Sequence, residues 1–285
     1  MVKATYHVEL DTLEGGMMTA LKKLHPNEKI IIQITDTHLM DCPHSTFVKM
    51  NPEQSFHAVI EDIKSKYADI DAIIHTGDLA QVPKPETYQR YHTFMQSFGV
   101  PFYQIPGNHD DASIFPFLTP EPVPGVLSFG NWRIVLLNSA VPKKVDGWIQ
   151  REQLHHLKLI LEQTASNNVI LACHHHPLDM ESNWIDQHKL KNTCELTEIL
   201  AQFEQIRAVI CGHVHQDSLN IWNHIQFLSS PSTSVQFKPK SYDFAFDTVS
   251  PGYRCLLLKE NGTFETRVHR LAEFTQHINH DISGY

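Results

Sequence analysis

The sequence predicts an α/β fold in which two mixed β-sheets pack face to face with helices on the outside. Three observations support this prediction. Apolar runs typical of buried strands alternate with helical patterns in the first half of the chain, hairpin patterns appear in the second half, and five strand-like runs end in polar residues of similar chemistry. Parallel strands with right-handed crossovers explain the first pattern, and antiparallel strands explain the second.

The first half of the chain predicts strand, helix, strand, helix, strand. Asn51-Pro52-Glu53 opens an amphipathic helix, and a stripe of aromatic residues recurs at helical spacing after Pro85 until Gly99 ends that helix. The three strands are predicted at Ile30 to Thr35, Ala72 to Thr76 and Phe102 to Asn108.

From Val126 onwards hairpins are added to this pattern. Two further helices carry apolar residues at helical spacing, and each leads to another strand that ends in histidines. The predicted hairpins are 126–129 with 132–138, 221–222 with 226–228, and 254–258 with 263–268. The helices are predicted at Glu152 to Gln163 and Leu196 to Phe203, and the strands at Val169 to Cys173 and Ala208 to Cys211.

Size, charge and cysteine content narrow the class of protein. A chain of 285 residues can bury one substantial core, so we interpret residues 1–28 as an N-terminal extension, with a short helix over Met17 to Lys23, and residues 29–285 as one domain. A net charge of −9 without basic runs argues against nucleic acid or a membrane surface as partner. Five widely spaced cysteines and no signal-peptide pattern predict a cytoplasmic location.

The five polar strand ends form a candidate site. In open parallel sheets ligands lie outside the carboxyl ends of the strands, so we expect these loops to converge. The donors that they bring together are Asp36, His38, Asp78, Asn108, His174 or His175, His213 and His215.

These seven nitrogen and oxygen donors suit iron, manganese or zinc, and not calcium or a structural zinc site. One ion cannot accept seven donors beside water or substrate, which implies two divalent ions. We expect Asp78 to bridge them, because a carboxylate has two oxygens and such ions lie about 3.5–4 Å apart. Water between them would lose a proton near pH 7 and become the nucleophile.

The remaining donors divide between the two ions. One set is Asp36, His38 and His215, and the other is Asn108, His213 and either His174 or His175. His174 is the first residue past its strand and His175 begins a His-x-Pro step, so both stay candidates. His109 has no ion assigned and is expected to protonate the leaving alkoxide as general acid, while Asp110 would either orient it or cap a following turn.

These motifs resemble the signature of the calcineurin-like metallophosphoesterases, namely Asp-x-His, Gly-Asp, Gly-Asn-His-Asp, a strand-end His and Gly-His-x-His. Over nearly the whole chain the sequence is also similar to the bacterial class III 3′,5′-cyclic AMP phosphodiesterases. The segments that carry this second likeness are Ile34 to Leu39, Thr76 to Gln81, His174 to Leu178, Trp184 to His188, Cys211 to Gln216, Pro231 to Pro239 and Pro251 to Arg254.

The resemblance implies a four-layer αββα sandwich, a dinuclear centre of the iron or manganese type, and hydrolysis of cyclic AMP to 5′-AMP, which would lower cellular cyclic AMP. Residues 29–285 would then be a single metallophosphoesterase catalytic domain. The residues expected to contact the substrate are His38, Asp78, Asn108, His109, His174 and His215.

Two alternatives remain beside this interpretation. The chain could hydrolyse another small diester, such as a nucleotide-linked compound or a lipid head group, or it could be an inactive metal-dependent binding scaffold. The protein phosphatase branch of the superfamily is disfavoured because Gln81 follows Ala80 and no second Asp-Arg-Gly triplet is present. The sequence leaves the oligomeric state open.

Overall fold

Two β-sheets pack face to face and carry helices on their outer faces, which confirms the predicted fold class. The computed structural model describes residues 20–118, 123–272 and 274. Its helices are α1 (Pro52–Lys66), α2 (Pro85–Phe98), α3 (Arg151–Gln163), α4 (Asn183–Asp186) and α5 (Thr193–Leu200). Its strands are β1 (Lys29–Ile34), β2 (Ala72–His75), β3 (Phe102–Gln104), β4 (Gly125–Phe129), β5 (Trp132–Leu136), β6 (Asn168–Ala172), β7 (Ile206–Cys211), β8 (Ser218–Trp222), β9 (Ile225–Ser229), β10 (Gly252–Leu258) and β11 (Phe264–Arg270).

Both sheets are mixed: the second has an antiparallel strand at each edge, whereas the first has an antiparallel edge at β11 and a parallel edge at β3. The first sheet has the order β11-β10-β1-β2-β3, in which β1, β2 and β3 run parallel. The second has the order β4-β5-β6-β7-β9-β8, in which β5, β6, β7 and β9 run parallel. The parallel strands of each sheet therefore bring the loops that follow them to one edge.

Three layers of apolar side chains hold the four layers of backbone together. In β1 the side chains alternate, so that Ile30, Ile32 and Ile34 face α1 and α2 while Ile31 faces the second sheet. A separate core lies between the second sheet and helices α3 and α5, where Leu157 and Leu196 are fully buried.

The helix boundaries follow local chemistry. The side chain of Asn51 caps α1 by accepting a hydrogen bond from the Gln54 backbone N–H at 2.9 Å, and Pro52 follows it. Helix α2 ends at Gly99, whose φ of 75° is in the left-handed region. None of these helices, within the ranges given above, has the length and apolar content needed to cross a bilayer.

Several predicted boundaries differ from the structure. Strand β3 ends at Gln104, so the prediction that it reaches Asn108 was wrong. Helix α5 ends at Leu200, so the prediction that it reaches Phe203 was wrong, and α4 was not predicted at all. Much of the predicted helix over Met17 to Lys23 lies outside the described residues, and its described end is not helical. Residues 20–28 nevertheless contact the domain, because Leu21 is buried and its N–H donates to the Tyr67 hydroxyl. The division at residues 28 and 29 stays a prediction.

Candidate metal centre

The loops that follow five parallel strands converge at one edge of the two sheets. The loop after β1 carries Asp36 and His38, and the loops after β2 and β3 carry Asp78 and Asn108. From the second sheet, His174 follows β6, and the Gly-His-x-His loop follows β7. The structure therefore brings together all the predicted donors. The ligand-type atoms of the aspartates and histidines form overlapping clusters within 4.8 Å, and Oδ1 of Asn108 lies 3.1 Å from Nε2 of His174.

Asp36, His38 and His215 form the first cluster. The Oδ1 atom of Asp36 lies 3.2 Å from Nε2 of His215 and 3.7 Å from Nε2 of His38, and the two Nε2 atoms are 3.2 Å apart. All three side chains are buried. They are the residues that the sequence assigned to one ion.

Asp78 lies between this cluster and the other donors. Its Oδ2 atom is 3.8 Å from Nε2 of His38 and 3.3 Å from Nε2 of His174. Its Oδ1 atom accepts the backbone N–H of His109 at 2.8 Å. The position of Asp78 suits the predicted bridge between two ions. The sequence predicted that both carboxylate oxygens would take part, but in the structure Oδ2 alone faces His38 and His174, because Oδ1 accepts the His109 N–H.

His174 and His175 differ in what their ring nitrogens contact. In His174, Nδ1 donates to the Thr76 carbonyl at 2.8 Å and Nε2 lies 3.1 Å from Oδ1 of Asn108. In His175, Nδ1 is 2.8 Å from the Ser139 hydroxyl and Nε2 is 3.0 Å from the Val145 carbonyl. The ligand-type atoms of His174, His175 and His213 all lie within 4.8 Å of one another. The partner of His174 Nε2 is Asn108, itself a predicted donor, whereas both nitrogens of His175 contact groups outside the donor set, and this difference favours His174 as the ligand.

The unsatisfied atoms of the site fit a cation. Among the residues that the structure describes, Oδ1 of Asp36, Oδ2 of Asp78 and Nε2 of His213 are buried and have no hydrogen-bond partner. An unpaired buried polar atom is costly, and such atoms at one place call for an ion or water that the protein itself does not supply. Oxygen and imidazole nitrogen without thiolate is the chemistry of iron, manganese and zinc sites.

A family model described as calcineurin-like phosphoesterase matches residues 30–217, which include every donor named above. The chain belongs to this family. The match covers about two thirds of the sequence, from β1 to the end of the Gly-His-x-His loop.

Curated relatives extend the similarity over most of this phosphoesterase. The chain is 39% identical over 253 residues to the 3′,5′-cyclic adenosine monophosphate phosphodiesterase CpdA of Escherichia coli (strain K12), covering 85% of this chain and 90% of that protein. It is 36% identical over 274 residues to the CpdA phosphodiesterase of Vibrio vulnificus (strain CMCP6), covering 94% and 99%. Among solved structures, a dimetal phosphatase from Danio rerio shares the fold with a TM-score of 0.54 at 12% identity, covering 86% of this chain and 99% of that one.

The phosphoesterase holds three of the predicted ligand histidines, His38, His174 and His215, through the second ring nitrogen. His38 contacts Oε1 of Gln81 at 2.8 Å through Nδ1, and His215 donates to the Val235 carbonyl at 2.7 Å. These contacts place Nε2 of each ring on the side of the carboxylates and fix its tautomer. The sequence did not predict these partners. Gln81 lies in the segment Thr76 to Gln81 and could have been identified by its side chain. The Thr76 and Val235 partners are backbone carbonyls, which every residue has, so the sequence gives no sign of them.

The electrostatics of the site favour cations. Burial raises the pKa of Asp36 and Asp78, but the surrounding imidazoles, led by His215 for Asp36 and His174 for Asp78, outweigh it and hold both well below their usual range. Burial lowers the pKa of His174, yet Asp78 and Asp36 outweigh it and raise the value to about 9. Both carboxylates are therefore ionised at neutral pH.

His109 and Asp110 have separate roles in the structure. His109 is half-buried beside the ring of His38, with ring centroids 5.0 Å apart, and burial lowers its pKa to about 4 against the attraction of Asp78. Asp110 accepts the backbone N–H groups of Gly107, Leu79 and Ala80 at 3.0–3.2 Å. These bonds join the loops after β2 and β3, and none of the three donors belongs to a turn that follows Asp110, so they are not the predicted cap of a following turn.

The ligand loops are held in an unfavourable backbone conformation. Residues with side chains rarely adopt positive φ, and each such residue costs about 1–3 kcal/mol. Five of the predicted ligands do so, with φ between 48° and 68°: Asp36, His38, Asp78, His213 and His215. Strain of this kind persists where the surroundings fix the loop, as the hydrogen bonds from Asp36 N to Gly77 O and from His38 N to Asp78 O do here.

Proposed function

We propose that this chain is a metal-dependent phosphodiesterase that hydrolyses 3′,5′-cyclic AMP to 5′-AMP. The observation that carries the proposal is the position of Asp78 Oδ2, which faces His38 on one side and His174 on the other with no hydrogen-bond partner among the described residues. The substrate is inferred from relatives that are 36–39% identical over 85–94% of the chain and are named for cyclic AMP.

The residues that would hold two divalent ions are the two sets with Asp78 between them. Asp36, His38 and His215 would hold one, and Asn108, His174 and His213 the other. Such ions, with iron or manganese preferred and zinc compatible, supply an ionised water near pH 7 and neutralise the phosphoryl oxygens. The protein keeps the carboxylates of Asp36 and Asp78 ionised and orients the imidazole nitrogens towards them, and the contacts described above support both effects.

His109 is proposed as the general acid. Its backbone N–H is fixed on Asp78, and its ring stands half-exposed at the edge of the first cluster, where a phosphodiester would arrive. With a pKa of about 4 the ring is neutral at pH 7 before substrate binds, and the negative charge of the diester would raise that pKa. As an oxygen from water bonds to phosphorus, the bond between phosphorus and the 3′-oxygen breaks, the imidazolium form of His109 gives its proton to that oxygen, and 5′-AMP is formed.

The substrate phosphate is proposed to meet the exposed side of the site. Asn108 and His109 are half-buried and therefore reachable, whereas His38, Asp78, His174 and His215 lie beneath them. The amide of Asn108 and the ring of His109 would hydrogen-bond the phosphoryl oxygens. The four buried residues would instead hold the ions that neutralise the charge of those oxygens.

We also propose a cytoplasmic location. All five cysteines fall in described residues and are free thiols, with Cys173, Cys211 and Cys255 buried. Free thiols are typical of a reducing compartment. Cyclic AMP is the proposed partner, and the net charge of −9 disfavours nucleic acid.

The test is to measure hydrolysis of cyclic AMP by Mn²⁺-loaded protein, before and after chelation, against a panel of other small phosphodiesters. We expect 5′-AMP as product, loss of activity on chelation and recovery with Mn²⁺. A preference by orders of magnitude for another diester would reject cyclic AMP as substrate. Absence of hydrolysis of every diester, including a bis-aryl phosphate, would indicate a binding scaffold.

A further inference from the structure

Helix α4 is only four residues long, and its function is not explained by the ligand sets. Two of its side chains, Trp184 and Asp186, pack against residues that in turn stack on His213 and His215. These two histidines belong to one loop and are assigned to different ions. The helix therefore contacts both halves of the candidate centre through one intervening residue each.

The first connection runs from Asp186 through His176 to His213. Oδ1 of Asp186 lies 3.4 Å from Nε2 of His176, and the ring of His176 stacks on that of His213 with centroids 5.6 Å apart and planes at 23°. Asp186 is itself fixed, because it accepts the backbone N–H groups of Met180 at 2.7 Å and Ser182 at 3.1 Å. Neither ring nitrogen of His176 has a hydrogen-bond partner among the described residues, so the fixed carboxylate positions the ring that stacks on His213 by contact and not by a hydrogen bond.

The second connection runs from Trp184 through Phe237 to His215. Phe237 is 1% exposed and stacks on the His215 ring with centroids 4.0 Å apart and planes at 13°. Trp184 meets Phe237 edge to face at 5.0 Å and 84°. The same segment also supplies the Val235 carbonyl that His215 binds, so the ring of His215 is fixed by a hydrogen bond and by packing.

We infer that α4 is a positioning element that sets the planes of both imidazoles, with Asp186 acting on His213 and Trp184 acting on His215. The plane of an imidazole decides where its lone pair points, and both residues sit in strained backbone with positive φ that the surroundings must fix. His213 depends on this packing most, because its buried Nε2 has no hydrogen-bond partner in the described part of the chain. The inference rests on the proposed two-ion centre.

The test compares Asp186→Asn, Trp184→Leu and the double variant with Gln187→Ala, an exposed substitution next to the same helix. Metal-free protein is titrated with Mn²⁺, and bound and free ions are distinguished by electron paramagnetic resonance. Each single variant should weaken one of two binding events by about 10–100-fold, the double variant should weaken both, and Gln187→Ala should bind as wild type. Saturating Mn²⁺ should restore kcat.

Two measurements separate positioning from misfolding. The melting temperatures of the metal-free variants should stay close to that of the wild type, and Trp184→Phe, which keeps an aromatic edge, should recover most of the lost affinity. Two events of wild-type affinity in both single variants would overturn the inference and leave the two-ion proposal intact. Fewer than two Mn²⁺ bound to wild-type protein would overturn both.

Discussion

The neighbouring residues His174 and His175 make different contacts through their ring nitrogens. His174 leaves Nε2 beside Asn108 and Asp78, whereas His175 uses both nitrogens on Ser139 and Val145. His175 thus anchors the segment after β5 to the site. Because the two residues are adjacent and equally buried, the sequence could not distinguish them, and the distinction came from hydrogen-bond geometry.

This difference predicts the outcome of two alanine variants. His174→Ala should lose one Mn²⁺, because it removes a nitrogen that faces Asp78. His175→Ala should still bind two ions, although the lost contacts to Ser139 and Val145 should destabilise it by about 1–3 kcal/mol. Metal content measured by elemental analysis after dialysis, with melting temperatures alongside, checks both. Loss of an ion in His175→Ala with retention in His174→Ala would reverse the assignment.

The role of His109 predicts a dependence on the leaving group. His109→Ala should lower kcat for cyclic AMP by about 10²–10⁴-fold, because its alkoxide needs a proton. The loss should be much smaller for a nitrophenyl diester, since nitrophenolate leaves without protonation. Steady-state kinetics on the two substrates at equal Mn²⁺ occupancy make the comparison, and equal losses on both would argue against general acid catalysis.

At the scale of elements, the ligand loops are built around close backbone contacts. A methyl group on Gly212 would lie 2.1 Å from the Thr35 hydroxyl and 2.7 Å from Oδ2 of Asp36. That oxygen accepts hydrogen bonds from Thr35 and from the His213 N–H. The glycine before His213 is thus needed because the loops after β1 and β7 touch there.

Gly212→Ala should therefore push the two loops apart. We expect destabilisation of about 1–3 kcal/mol from overpacking and weaker Mn²⁺ binding at the cluster of Asp36. Urea unfolding and Mn²⁺ titration measure the two effects. Gly125→Ala is the control, since the nearest atoms to its added methyl group are at 3.5 Å, an ordinary contact. Equal behaviour of the two variants would show that the loops can separate without cost.

A second element-scale feature is the packing of β11 on α1. His269 on β11 is 3% exposed, and its Nε2 lies 2.8 Å from the Tyr67 hydroxyl just beyond α1. Burial, with Lys66 and Arg267 and against Asp62, lowers the pKa of His269 to about 4. In the unfolded chain His269 therefore binds a proton as the pH falls through about 6.5, whereas in the folded chain it stays neutral until the pH approaches 4.

The sign of this shift predicts an acid sensitivity. The stability that neutral His269 contributes is present above about pH 6.5 and is lost as the pH falls towards 4. The melting temperature of His269→Gln should therefore fall less between pH 6.5 and pH 4 than that of the wild type. His155→Gln, at an exposed site on α3, serves as control. Parallel melting curves for His269→Gln and wild type would contradict this account.

Long elements could be predicted from the sequence, whereas the short helix α4 could not. Strand β1 and helix α1 span enough residues to show a hydrophobic periodicity, and the cap residue Asn51 marks the start of α1. Helix α4 has only one turn, which is too short to show a hydrophobic periodicity. Contacts with residues distant in the sequence stabilise it, so the sequence did not predict it. Phe203 has helical spacing from the apolar residues of α5 but lies past the end of that helix. It packs against the core between the second sheet and the helices without being helical itself.

At the scale of the whole molecule, the centre is shared between the two sheets. Asp36, Asp78 and Asn108 follow strands of the first sheet, and His174, His213 and His215 follow strands of the second. Gln33 of β1 also donates to the Cys211 carbonyl of β7 at 3.0 Å, which ties the sheets together beside the site. The apolar runs and the polar residues after them predicted donors at strand ends and two facing sheets. The alignment of the two sheets depends on their packing, which no local pattern encodes.

The most direct test of the account is an anomalous difference map from crystals grown with Mn²⁺. We expect two peaks about 3.5–4 Å apart on either side of Oδ2 of Asp78, one beside Asp36, His38 and His215 and the other beside Asn108, His174 and His213. A single peak, or a second peak bound by His175 in place of His174, would contradict it.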